Sequence, residues 1–250
     1  MQRKAIILSA GQGRRLSPLT DTRPKCLIEL SGFSVLHWQL RHLAAAGVEE
    51  AVVVTGFATE AVEAEVAAYP VAGLTVRTLF NPFYAVSDNL ATCWMIRPEM
   101  DDGFLLLNGD TLFEPAIAQR LLAAPASPIT LAVDRKGAYD ADDMKVRSSG
   151  SALLEIGKTL EVYDAESIGF LRFSREGAAA FGQAVDAALH RPEGLKRWYL
   201  SVIDQLAREA GGVAIESIQG LDWAEMDFPE DVPRNLELTQ QWAAAMQVSA

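Results

Sequence analysis

The sequence predicts an α/β fold built on a mostly parallel sheet, and three observations carry the prediction. Short apolar runs recur along the chain, as buried parallel strands require. Segments with helical spacing stand between them. From about Pro125 the rhythm changes to short strands separated by turns, which adds a mixed extension to the sheet.

Each element follows in order. Lys4–Ser9 (KAIILS) is the first apolar strand. Ser34–Gly47 opens on a serine cap, keeps helical spacing and closes on glycine, so it is a helix. Ala51–Gly56 is a second strand, followed by the helical TEAVEAEVAAY. Leu74–Phe80 and Phe104–Asp110 are two more strands, with a helix over Asn89–Ile96 between them. This alternation implies right-handed crossovers onto one sheet. Beyond Pro125, SPITLAVD, MKVR, SALLEIG and SIGFLRF are short strands. Helices are expected over Ser174–Leu189 and Trp198–Glu209, then a strand at Val213–Ser217 and a terminal helix from about Pro229. No repeat, low-complexity segment or linker interrupts the chain.

Composition narrows the function. Half of the 250 residues are hydrophobic, enough for a sizeable core. A formal charge of −11 and a pI near 4.8 argue against nucleic acid or an anionic membrane as partner. Two cysteines, Cys26 and Cys93, suggest a reducing compartment without a disulfide framework. No signal peptide or membrane span is legible, so a soluble, cytoplasmic protein is expected. His37, His42 and His190 have no metal-ligand spacing. Cys26 has no paired base and reads as a small buried residue.

The stretch Leu8–Lys25, LSAGQGRRLSPLTDTRPK, leaves the first strand at the end where ligands of open α/β sheets bind. A dinucleotide fingerprint needs a third glycine where Leu16 stands, and a P-loop needs a Gly-Lys-Ser/Thr that is absent. Pro18 and Pro24 bar an immediate helix. What remains is an extended loop in which Gly11 and Gly13 let the backbone offer N–H donors to phosphate oxygens. Arg15 and Lys25 add cations. Six basic residues and one acid lie between Met1 and Lys25, a local excess in an acidic chain.

The order Leu8-Ser9-Ala10-Gly11-Gln12-Gly13-Arg14-Arg15-Leu16, Pro18-Leu19-Thr20 and Pro24-Lys25 resembles the signature of nucleotidyltransferases that make nucleoside-diphosphate sugars and alcohols, with Ser9 in place of a more usual alanine. The resemblance implies a Rossmann-like mixed sheet of the nucleotide-diphospho-sugar transferase type. It implies one domain over 1–250, with a nucleotide-binding half to about 110 and an acceptor-binding half from 111. By the same resemblance Ala10, Gly11, Gly13 and Arg14 border the nucleotide, Arg15 holds its β and γ phosphates, and Lys25 holds the α phosphate. Such a reaction brings two anions together, so Mg²⁺ is expected, on Asp110 at the end of an apolar strand and Asp227 before Pro229. No covalent nucleophile is needed.

The middle of the chain implies the acceptor and the base. LLEIGKTL resembles the family segment whose lysine, here Lys158, binds the incoming phosphate, with Gly157 inserted and Thr159 where proline is common. ESIGFLRFS resembles the family strand with a glycine near the acceptor. NPFYAVSDNLATCW and WAEMDFPED resemble the phosphocholine and inositol-phosphate cytidylyltransferase branch, which places Asn81 and Asn89 near the nucleoside and makes CTP the donor. A cationic acceptor such as phosphocholine needs aromatic faces and carboxylates. The candidates are Tyr84, Tyr139, Tyr163 and Trp223 with Asp142, Glu166 and Glu225. The alternatives are a sugar-1-phosphate, inositol-1-phosphate or phosphonate acceptor, a non-catalytic binding paralogue, and a molybdopterin-type transferase, which shares the opening loop but not the later segments. A homo-oligomer is left open.

Overall fold

The computed structural model describes residues 3–209 and 211–248; Met1 and Gln2, where a leader was sought, lie outside them. In chain order the elements are β1 (Lys4–Leu8), β2 (Glu29–Leu30), β3 (Phe33–Ser34), α1 (Val35–Ala45), β4 (Glu50–Thr55), α2 (Thr59–Ala68), β5 (Thr75–Phe80) and α3 (Asn89–Met95). Then come β6 (Phe104–Asn108), β7 (Thr111–Phe113), α4 (Pro115–Ala123), β8 (Ile129–Asp134), β9 (Lys145–Ser149), β10 (Ala152–Gly157) and β11 (Ala165–Phe173). The last are α5 (Arg175–Leu189), α6 (Leu200–Glu209), β12 (Val213–Ser217), β13 (Trp223–Glu225) and α7 (Asp231–Val248). The expected α/β fold is therefore present. Expectation had not included α4 or the short strands β2, β3, β7 and β13. Short 3₁₀ turns at Arg14–Leu16 and Lys25–Leu27 punctuate the extended loop after β1.

Nine strands form one sheet in the order β5-β4-β1-β6-β11-β8-β12-β10-β9. The first four are mutually parallel, and β11 inserts antiparallel between β6 and β8. The chain winds from β1 outward to β5 and then returns to place β6 on the other side of β1. That reversal is the topological switch point at which open α/β sheets bind ligands. The loops leaving β1 and β6 flank it.

Strand periodicity divides the core. Ile6, Val52, Val54 and Leu106 point to the face covered by α3, α5 and α6 through Cys93, Phe181 and Ile203. Their neighbours Ala5, Ile7, Val53 and Leu107 point to the face covered by α1, α2 and α4 through Leu40, Val62 and Ile117. A third cluster joins Leu16 of the glycine-rich loop to Trp38 of α1, Leu112 of β7, Ala224 and Met226 near β13, and Trp242 of α7. Among the described residues no helix is long and apolar enough to cross a membrane.

The start of α5 shows how tightly the layers meet. The Ser174 hydroxyl caps it by accepting from the Gly177 N–H at 3.1 Å, while the Ser174 N–H donates to the Pro128 carbonyl at 2.9 Å. A Cβ on Gly177 would lie 1.9 Å from that same carbonyl oxygen. Alanine normally gains about 1 kcal/mol over glycine inside a helix, but overpacking costs about 1–3 kcal/mol or more. Gly177→Ala is therefore expected to lower stability by at least about 1 kcal/mol, against the propensity trend. Urea denaturation checks this, and a stabilised variant would show that the contact yields freely.

Candidate active site

A short antiparallel ribbon assembles the centre. β7 pairs with β13 so that Thr111 faces Glu225 and Leu112 faces Ala224. The Met226 N–H donates to the Asp110 carbonyl at 3.1 Å and continues the pairing. Asp110 and Asp227, far apart in sequence, thus stand side by side. Between them lies Lys25, whose ammonium donates to Asp110 Oδ2 and, at 3.0 Å, to Asp227 Oδ1. Lys25 is placed by the Pro24 turn and by Gly13, which adopts φ 78° and leaves no room for a side chain: a Cβ would lie 2.8 Å from Lys25 Cβ. The loop is laced internally, with Thr20 Oγ1 donating to the Gly13 carbonyl at 2.8 Å and Gln12 Nε2 to the Thr20 carbonyl at 3.2 Å.

The charges settle one another. Burial opposes the Lys25 ammonium, but Asp110 and Asp227 outweigh it and its pKa is raised. Burial likewise works against the Asp227 carboxylate, yet Lys25 wins, helped by Arg15, and its pKa is lowered. Glu225 is pushed up, by burial first and then by the negative field of Asp110 and Asp227. Glu166 is pushed up to about 7 by burial, with the nearby Lys136 ammonium opposing the shift. That ion pair is 2.8 Å, and Lys136 also reaches Asp143 at 3.0 Å.

The main cleft, about 400 Å³, gathers most of the expected site: Gly13, Arg14, Arg15, Lys25, Asn89, Asp110, Lys158, Glu166, Trp223, Glu225 and Asp227 all line it. Lys158 follows the end of β10 and reaches in beside Trp198, 4.7 Å from the ring centre. Arg15 stands at the mouth, 3.6 Å from both Asp227 and Asp142. Asp142 also pairs with Lys158 at 3.5 Å. Gly169, at φ 67° in an irregular stretch of β11, lines the same cleft and leaves space for Asn108: a Cβ would lie 2.2 Å from Asn108 Nδ2. A second cavity, about 320 Å³, lies on the β1 side and shares Lys25, Asn89 and Asp110 with the first; Ala10, Gly11 and Tyr84 line it.

Three expectations need correction. Asn81 lines none of these cavities. It is buried, donates to Thr92 Oγ1 at 3.0 Å and accepts the Phe83 N–H at 2.8 Å, so both ends of its amide are spent on the turn after β5. Tyr84 sits on the β1 side rather than with Lys158. Tyr139 packs on Tyr163 at 5.1 Å outside the cleft, and its hydroxyl accepts the Lys136 N–H. Asn89 does line the cleft, but its Oδ1 accepts the Tyr199 N–H at 2.9 Å. Sequence reasoning missed Trp198 and Tyr199 as cleft residues. It had placed Trp198 at the start of a helix; α6 begins at Leu200, which leaves both aromatics on the approach loop. The aromatic pair directly after two basic residues in LKRWYL was the available signal.

With this geometry, comparison with known proteins is decisive. The MobA-like NTP transferase domain matches residues 5–216. The chain belongs to that family. The resemblance carried by Leu8–Lys25 is thereby borne out. The chain is 34% identical over 244 residues to the CMP-5'-(3-aminopropyl)phosphonate synthase of Streptomyces rubellomurinus, covering 91% of this chain and 37% of that protein. It is 30% identical over 244 residues to the bifunctional IPC transferase and DIPP synthase of Rubrobacter xylanophilus, covering 96% of this chain and 53% of that one. This member of the family thus spans between a third and about half of those relatives' lengths. The solved inositol-1-phosphate CTP transferase from T. maritima has the same fold, with a TM-score of 0.82 at 20% identity over 96% of this chain and 95% of that one.

Lys25 offers a direct test of the charge arrangement. Asp227 has a depressed folded pKa, so its contribution to stability is present above the unfolded carboxylate range and is lost only as pH falls below that range, through the folded value. Removing the ammonium leaves two adjacent carboxylates unbalanced, a loss of about 3 kcal/mol or more for a broken buried pair. Lys25→Met should therefore lower the melting temperature strongly at pH 7 and less near pH 4, where proton uptake by the variant's carboxylate pair relieves the repulsion. A loss independent of pH would mean that packing of the lysine stem dominates.

Proposed function

We propose that this chain transfers CMP from CTP to a small acceptor that carries a phosphate or phosphonate at one end and a cation at the other, a phosphocholine-like molecule, and releases pyrophosphate. The supporting observation is that Lys25 and Lys158 line one cleft from different parts of the sheet, Lys25 on Asp110 and Asp227 and Lys158 on Asp142. A nucleotidyl transfer needs cations for two separate anions that must approach each other. Two of the names, one containing CMP and one CTP, favour cytidine as the donor.

In this reading an oxygen of the acceptor phosphate attacks the α-phosphorus, and the bond to the pyrophosphate oxygen breaks. Lys25 faces the α-phosphate and stabilises the charge that develops there. Arg15 holds the leaving pyrophosphate with the backbone of Gly11 and Gly13. Lys158 orients the incoming phosphate, releasing Asp142. Trp198 and Trp223 give apolar faces to the acceptor's cationic end, and that cation would draw Glu166 and Glu225, both pushed up by burial, toward their charged forms.

Mg²⁺ is the proposed cofactor, and the residues fit it. Asp110 Oδ1 is buried with no hydrogen-bond partner among the described residues, while its other oxygen and Asp227 converge on one cation, Lys25. No group of three or more His, Cys, Asp or Glu side chains suited to a metal occurs among the described residues, so phosphate oxygens would complete the shell. When bound, the ion supplies neutralising charge to the meeting anions. Asp110→Asn and Asp227→Asn should each lower turnover at least about 100-fold, the scale of losing one preorganised charge contact, while circular dichroism stays native. Full activity of both variants, or of wild type in excess chelator, would remove the metal assignment.

A matrix of five nucleotides against phosphocholine, 2-aminoethylphosphonate, inositol 1-phosphate and glucose 1-phosphate, read by pyrophosphate release, tests the substrates. CTP with a cationic acceptor is the expected pair. Turnover confined to inositol 1-phosphate with CTP would keep the donor and overturn the cation. Turnover only of glucose 1-phosphate with UTP or dTTP would overturn both.

A further inference from the structure

Two carboxylates on the Lys158 side of the cleft already hold a cation, and it is the protein's own. Lys136, in the loop after β8, places its ammonium 2.8 Å from Glu166 Oε1 and 3.0 Å from Asp143 Oδ2. The Tyr139 ring faces the same ammonium, 5.6 Å from it to the ring centre. Two carboxylates and an aromatic face are the surroundings in which an organic ammonium is held. Burial opposes the charge, yet Glu166 and Asp143 keep the Lys136 pKa above its ordinary value.

The seat does not depend on the lysine side chain. It is the backbone N–H of Lys136 that donates to the Tyr139 hydroxyl, at 3.2 Å. Asp143 Oδ2 accepts the Asp140 N–H at 2.6 Å. Lys145 Nζ donates to the Asp140 carbonyl at 2.6 Å and to the Lys158 carbonyl at 3.2 Å, which ties this acidic loop to the segment that carries Lys158. Glu166 lies within β11 and is only 2% exposed. The Lys136 side chain, by contrast, is 34% exposed and free to swing on its stem.

A third cavity, about 490 Å³, lies behind the seat. Asp143, Glu166 and Trp223 line both this cavity and the main cleft. Lys136 lines only the third cavity, whereas Lys158 and Trp198 line only the main cleft. A cation arriving through the main cleft therefore meets the same two carboxylates from the opposite side. A displaced Lys136 has an acidic space to enter, since Asp134, Asp140 and Asp231 line the remainder.

We propose that Lys136 is a specificity-determining residue: its ammonium is a tethered occupant of the seat on Glu166 and Asp143, and the cationic end of an acceptor binds there by displacing it. The inference rests on the reading of a cationic acceptor. It gives the third cavity a use, as the space into which the lysine retreats. A tethered competitor acts at an effective concentration on the order of millimolar. Acceptors with a neutral end leave it in place and gain nothing from the seat.

Acceptor analogues separate the cation from the phosphate. Calorimetry on the full chain compares phosphocholine with ethyl phosphate, which lacks the cation, each with Mg²⁺ and an α,β-methylene analogue of CTP present. Loss of the competitor predicts that Lys136→Met binds phosphocholine at least tenfold tighter than wild type, about 1.4 kcal/mol, and ethyl phosphate within twofold. Lys136→Gln should gain in the same sense. Adding Glu166→Gln to Lys136→Met should abolish the gain, and circular dichroism checks that each variant is folded. Unchanged or weaker phosphocholine binding in the folded Lys136 variants, equal tightening of both ligands, or a gain that survives Glu166→Gln overturns the inference while the acceptor reading stands. Failure of both wild type and Lys136→Met to bind phosphocholine overturns the acceptor reading and this inference with it.

Discussion

One ammonium group organises this protein's centre. Lys25 lies between Asp110 and Asp227, and each of the three comes from a different part of the chain. A side-chain cluster of this kind can persist only if the backbones that carry it are held rigidly, since a partly satisfied buried network is costly. Two constructions do that. The β7–β13 ribbon extends through the Met226 N–H to Asp110 and fixes the two carboxylates in register. The small apolar cluster of Leu16, Leu112, Ala224 and Met226 then pins the glycine-rich loop to the same ribbon. The leucine that ends the glycine-arginine motif is thus a structural anchor for the cations beside it.

The remainder of the cleft is under-supplied with positive charge. Glu166 and Glu225 both titrate above the usual carboxylate range, because each is buried and, for Glu225, because other carboxylates face it. Asp142 reaches both Arg15 and Lys158 and puts a carboxylate where each cation would otherwise meet phosphate. The protein therefore holds these cations on internal anions, and in the proposed reaction a substrate would exchange one set of charge pairs for another. Such exchange limits how much of the Coulomb energy appears as binding. It leaves more of it to be expressed as charge shifts toward the α-phosphorus, which is where it raises turnover.

Much of this was legible in the sequence, for identifiable reasons. Wholly apolar runs such as FLLL can only be strands buried on both faces, and they were placed within a residue or two. The Leu8–Lys25 loop was legible because several constraints coincide in one short stretch. Strands β7 and β13, three residues each, were not, because no period-two pattern can be recognised in so few positions, and their pairing is non-local. Helix α4 escaped because it is only nine residues long, so its buried stripe of Ile117, Ala118 and Leu121 barely repeats. Asn81 was misplaced for a different reason. An asparagine beside a ligand-bearing turn can serve the turn or the ligand, and composition cannot tell which; burial and two satisfied hydrogen bonds can.

The architecture also separates the two cavities that the proposed reaction would assign to donor and acceptor. The cavity on the β1 side, proposed for the donor, is walled by the loops after β1, β5 and β6 and by α3, in the parallel part of the sheet at its switch point. Lys158 and Glu166 come from β10 and β11, in the antiparallel extension, and Trp198 from the loop before α6. Only Lys25, Asp88, Asn89, Asn108 and Asp110 border both cavities. On the proposed reading, changes in the extension would alter the acceptor without disturbing the nucleotide side, whereas changes at Lys25 or Asp110 would reach both. On the proposed reading the two sets of walls need share only the point of transfer, and that point is held by Lys25 and Asp227 across 202 positions of sequence.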